Sequence, residues 1–157
     1  MTLRLASPST ASLNRVVPEP GVVRSAHFEP GVTVRLFADG VVHLVIDEGV
    51  VIDLDAVRLV RSQLAQFVGG SYVTVGDLRQ VPYVERDART ELALDDDGRV
   101  LASAVVTGTM GPIPFLVRRW LAENVVARPT EVFVDTPEAL VWAHQMAAGL
   151  HAAGRLP

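Results

Sequence analysis

A chain of 157 residues, 49% hydrophobic and 20% charged, can bury one sizeable core and does not have the composition of a disordered segment. A formal net charge of −4 disfavours general nucleic-acid binding, and the lack of cysteine excludes disulfides, thiolate metal sites and cysteine nucleophiles. All 14 basic residues are arginine, which also removes Schiff-base chemistry and a phosphate-loop lysine.

Residues 1–20 carry serines, threonine and prolines without apolar periodicity and read as a tail dispensable for folding. They contain no apolar stretch of the secretory kind, so a cytoplasmic location is expected. Residues 21–157 read as a single α/β domain. Residues 21–28 suit an edge strand, followed by a break at Pro30-Gly31. Two strand-like runs, 33–38 and 41–46, flank Asp39-Gly40, a dipeptide suited to the positive φ values of a two-residue hairpin turn.

A helix capped by Asp53 or Asp55 is predicted to run to Val68, with Leu54, Val57, Val60, Leu64 and Phe67 on its buried stripe. Arg58, Arg61, Gln63 and Gln66 fall outside that stripe. Gly69-Gly70 ends the helix. The β-branched run Val73-Thr74-Val75 then leads through Gly76 to Asp77, Leu78, Arg79 and Gln80. A buried strand that delivers an acid and a base to its carboxyl end occupies the place where open α/β sheets position ligands and partners.

Residues 84–94 read as a short helix with Ala88 and Leu92 inward and Arg89 and Glu91 outward, closed by the acidic turn at Asp95–Asp97. The longest uncharged run, residues 100–117, contains Ser103, Thr107, Thr109, Pro112 and Pro114, and so reads as strand, loop and helix start rather than a membrane span. A short strand at 131–134 precedes Thr136-Pro137-Glu138, a helix start with Thr136 as N-cap. The order β-β-α-β-α-β-α-β-α predicts a mixed sheet of four or five strands, opened by a hairpin and covered by about four helices.

The Val75-Gly76-Asp77-Leu78-Arg79 strand end, the short helix and apolar strand after it, and the closing run from Glu131 to Ala143 together resemble uncharacterised bacterial proteins of the STAS-like fold. The resemblance covers residues 33–148. It implies a non-enzymatic regulatory module, without a cofactor, that works by binding another protein. In the anti-sigma factor antagonists of that fold the acid at the position of Asp77 precedes a phosphorylatable serine; here Leu78 stands instead. Partner binding is therefore expected to be independent of phosphorylation at the nearby Tyr83 or Thr90. The same broad topology occurs in lipid-transfer domains, so a carrier or sensor with an apolar pocket for a lipid or fatty acyl chain is the alternative.

The candidate binding surface is Asp77, Leu78, Arg79 and Gln80 together with Thr107, Thr109 and Gly111. Asp77 and Arg79 form either a polar handle or an ion pair holding the turn. The glycines and hydroxyls of 107–111 either offer N–H groups to an anion or simply make a turn. His144 and His151, seven apart, do not have the spacing of a helical metal site, and no metal is expected. A mean hydropathy of +0.30, with Trp120 and Trp142 as anchors, leads to the expectation of a homodimer.

Overall fold

A computed structural model describes residues 21–94 and 97–157. The tail and its expected dispensability lie outside these, as do Asp95 and Asp96 of the acidic turn. The strands are β1 (Val22–Phe28), β2 (Val32–Phe37), β3 (Val41–Ile46), β4 (Tyr72–Asp77), β5 (Val100–Val106) and β6 (Thr130–Phe133). The helices are α1 (Leu54–Val68), α2 (Arg86–Ala93), α3 (Ile113–Glu123) and α4 (Thr136–Ala152). They build one mixed α/β sheet in the order β1-β2-β3-β4-β5-β6. The first three strands run antiparallel and β3 to β6 run parallel. The described residues form six strands rather than four or five, because residues 22–28 pair with β2 along the sheet edge.

Alternation along the strands divides the apolar residues between two cores. Val32, Val34, Val42, Ile46 and Tyr72 face the layer formed by α1, α2 and α3. Val41, Val73, Val75, Ala102, Ala104 and Val106 face α4. That helix turns Ala139, Ala143 and Ala147, all fully buried, to the sheet. Small residues at four-residue spacing bring its backbone close to the strands. The opposite layer meets the sheet through Val, Leu and Trp side chains and stands further off.

The hairpin turn differs from the two-residue form. The register Leu36↔Val42 leaves Ala38, Asp39 and Gly40 as its loop, and Gly40 alone takes a positive φ, 84°. Gly40 N–H donates to Phe37 O, which makes this a three-residue loop with glycine in the left-handed position. Helix α4 grips the same turn with the two histidines. His144 Nδ1 lies 2.6 Å from Asp39 Oδ2, and His151 Nε2 lies 2.8 Å from Asp39 O. Seven residues are two helical turns, so both rings fall on one face.

Asp53 caps α1 by accepting from Ala56 N–H at 2.7 Å, and Gly69 closes it in the left-handed conformation. At α4 the cap is Asp135, not Thr136: its backbone is extended and its carboxylate accepts from Glu138 N–H at 3.0 Å. Thr136 is already helical, which frees its hydroxyl for a contact described below.

Arginines from elsewhere satisfy carbonyls at two helix C-termini that carry no basic residue of their own. Arg24 and Arg99 donate to Phe67 O and Ala65 O at the end of α1. Arg61 donates to Glu91 O and Leu94 O, and Arg128 to Leu92 O, at the end of α2. Arg61 and Arg89, expected to face outward, are half-buried because α1 and α2 pack side by side. Trp120 is buried with its indole N–H on Arg89 O at 2.6 Å, and Trp142 packs against Phe133. Trp120 is thus inward, whereas Trp142 stays partly exposed beside Phe133 and Val141. Among the described residues no helix is long and apolar enough to cross a membrane, and residues 100–117 divide into β5, a loop and the start of α3.

Candidate functional site

The carboxyl end of β4 delivers Asp77 to a closed network. Its residue is 6% exposed. Its Oδ1 accepts from the Arg79 backbone N–H at 3.1 Å and from Arg79 Nε at 2.9 Å. Its Oδ2 accepts from Arg79 Nη2 at 2.6 Å and from the Thr136 hydroxyl at 3.2 Å. Burial pushes this carboxyl up, but the Arg79 hydrogen bonds and charge and the Thr136 hydroxyl together outweigh it and hold the group below the ordinary aspartate value. The hydrogen bond to Asp77 likewise raises Arg79. The pair clamps the β4–α2 turn to the start of α4, so its charges are engaged within the chain.

The second loop comes up against the first. Gly108, at φ 65°, lies beneath the Arg79 stem; a β-carbon there would sit 3.4 Å from Arg79 Cγ. Thr107 is buried, its N–H on Phe133 O and its hydroxyl on Gly108 O. Thr109, Gly111 and Gln80 are exposed, and Met110 is 84% exposed. The Thr107 N–H extends the β5–β6 ladder by one bond.

Leu78 turns away from both charged neighbours and joins the core under α1, α2 and α3. There it lines an apolar cavity of about 190 Å³ between that helix layer and the sheet. The cavity walls include Val57, Leu64 and Leu116 from the helices and Leu44, Thr74 and Gly76 from the strands. Two strand-end loops zip together at one side. Ile52 and Val84 form a parallel bridge, with Ile52 N–H on Tyr83 O and Glu85 N–H on Ile52 O.

Polar groups reach this space at few points. Thr74 and Ser103 hydroxyls lie 2.9 Å apart, and Ser103 Oγ accepts from Arg128 Nε at 2.7 Å. Arg61, Arg89 and Arg128 all contribute to the lining, and no carboxylate among the described residues does. Ser103, Arg128, Arg61 and Arg89 were not among the site residues expected from sequence. The one local signal was Gly76, because a glycine inside an otherwise β-branched strand marks a place of close approach or open space. Among the described residues no three His, Asp or Glu side chains converge as metal ligands.

A family model described as Domain of unknown function (DUF7793) matches residues 35–147, which span β2 to α4 and include every residue of the clamp and nearly all of the cavity wall. No curated protein and no solved structure matches the chain.

Proposed function

We propose that this chain, which belongs to the DUF7793 family, is a STAS-like module that works by binding rather than catalysis, taking a small apolar or amphipathic molecule into the cavity beneath its sheet. The cavity is the observation that carries the reading. It exceeds the ~150 Å³ apolar cavity known to admit benzene and falls below the ~300–1,000 Å³ of pockets for drug-sized ligands. A medium-length chain fits such a volume better than a long lipid does. A ligand that fills this space supplies the contacts that its apolar lining side chains otherwise lack.

Native mass spectrometry of the protein taken from its own cells tests this. The expected spectrum shows the 16.9 kDa polypeptide carrying an added small organic mass that is lost on denaturation. A bare polypeptide, together with no uptake of an environment-sensitive apolar fluorophore, would overturn the reading.

A second reading, recognition of a protein partner or of a second copy at the strand ends, is favoured by one observation. Beside the Arg79–Gly108 contact, Met110 and Phe115 stand 84% and 66% exposed. Phe115→Ser and Met110→Ser are expected to abolish capture of such a partner, while Tyr83→Phe and Thr90→Ala leave it unchanged. Retained capture by both serine variants counts against this surface.

A further inference from the structure

We infer that two copies of this chain join edge to edge through β6, antiparallel about a two-fold axis at Val132. β6 is the outer strand of the parallel side of the sheet and is bonded to β5 alone. Ser103 N–H on Pro129 O and Thr107 N–H on Phe133 O set the phase of that ladder. Backbone groups alternate in direction along a strand, so Glu131 joins Pro129 and Phe133 in facing β5. Thr130 and Val132, with Val134 just beyond the strand, turn N–H and C=O outward. Among the described residues no backbone bond meets these outward groups.

The side chains at this edge suit strand pairing. Thr130, Val132 and Val134 are all β-branched and alternate onto one face, where Val132 and Val134 stand 36% and 53% exposed. On the other face a shallow groove beside Phe133 is lined by Pro137, Glu138, Val141, Trp142 and Gln145. The opposite edge of the sheet is blunted: β1 carries Arg24 and His27 and a register irregularity between Val22 and Arg24.

Charge selects both the occupant and the register. Antiparallel pairing of two copies centred on Glu131 would set that carboxylate opposite itself. Pairing centred on Phe133 would set Glu131 opposite the second copy's Asp135. Like charges directly opposite are destabilising, which rejects both. Centred on Val132, Thr130 faces the second copy's Val134, Val132 faces its own counterpart, and Glu131 faces Phe133. No carboxylate then lies opposite a carboxylate, and roughly six backbone hydrogen bonds close the outward groups. The strand is therefore self-complementary in one register. Its two-fold axis stands perpendicular to the sheet, so both copies keep α4 on the same face and their grooves flank one seam.

Sedimentation of the full chain at micromolar concentration tests this, with a species of twice 16.9 kDa expected. Val132→Lys sets like charges opposite each other at the axis and is expected to weaken self-association at least about tenfold. Val134→Lys serves the same purpose if Val132→Lys does not fold. The chain has no cysteine, so Val132→Cys supplies one thiol per copy. The Cα separation of about 5.5 Å across a hydrogen-bonded pair suits a disulfide. Mild oxidation is expected to link Val132→Cys at least about tenfold faster than Glu131→Cys, whose thiol faces Phe133. Equal linking at the two positions, or a dimer unchanged by both lysine variants, would overturn the inference. So would a dimer lost in Phe115→Ser, which would move the interface to the strand ends. A wild-type chain that sediments only at 16.9 kDa would overturn it too, and uptake of an extended peptide by that monomer would assign the edge to a strand from another protein.

Discussion

Gly76→Val is expected to make the protein more stable and, in the same step, unable to take up a cavity ligand. Gly76 lies in the middle of β4, level with Leu44 of β3 on one side and Val105 of β5 on the other. Both neighbours pack against the core under α1–α3, and Leu44, Gly76 and Val105 all line the cavity. A β-carbon built at Gly76 meets nothing within 4 Å, and the backbone there is in a region open to any residue. Valine therefore enters without strain and continues the apolar row from Leu44 to Val105. Two effects favour the folded state: glycine's loss of backbone freedom on folding is removed, and new apolar surface is buried against the cavity wall. Their sum is about 1–2 kcal/mol, equivalent to a rise of roughly 3–6 °C in Tm for a chain of this size. The same methyl groups occupy space a ligand needs. Thermal melts paired with fluorophore uptake check both halves. A destabilised variant that still takes up the fluorophore would mean that the open space beside Gly76 is neither fillable nor functional.

Asp77→Asn is expected to destabilise the protein by about 2–4 kcal/mol, with a fall in Tm of roughly 6–12 °C. The carboxylate is nearly inaccessible and accepts from Arg79 backbone, Arg79 side chain and Thr136 at once. An amide keeps the size of the group but replaces one acceptor with a donor aimed at Arg79, itself only a donor. Arg79 is about half exposed, so water compensates part of the loss and keeps the figure below that of a fully buried pair. The pH dependence has a definite sign. Because the folded carboxyl lies below its ordinary 3.8, its contribution is complete above that value and is lost as pH falls through the lower folded value. The wild-type protein should lose stability in this acid range more steeply than Asp77→Asn does. Superimposable acid profiles for the two would show that the clamp contributes nothing.

The outcome at Asp77 and Arg79 explains how far the candidate site could be read along the chain. An acid and a base two residues apart at a strand end are visible in sequence, but whether their charges face outward or each other depends on a third residue. Thr136 supplies that third contact from 59 positions away. Leu78 is similar: in sequence it sits between two charges in a turn, and only the packing of α1, α2 and α3 against the sheet gives it an apolar space to enter. His144 and His151 carry no metal-site spacing, yet the same spacing places both on Asp39 of the hairpin.

What the sequence determines by itself is local. Apolar period and β-branched runs mark the hairpin strands, the strands β4, β5 and β6 and the helices between them, Asp53 and Gly69 bound α1, and Gly40 permits the hairpin loop. Each of these depends on residues within a few positions of one another, where backbone preference and capping chemistry act. The cavity and its polar corner belong to the tertiary structure alone. They arise because α4 lies close to one face on its alanines, whereas the other helices are held off the opposite face by bulkier side chains. The gap depends on summed side-chain volumes from elements far apart in the chain, as does the meeting of Thr74, Ser103 and Arg128, and no local pattern encodes such a sum.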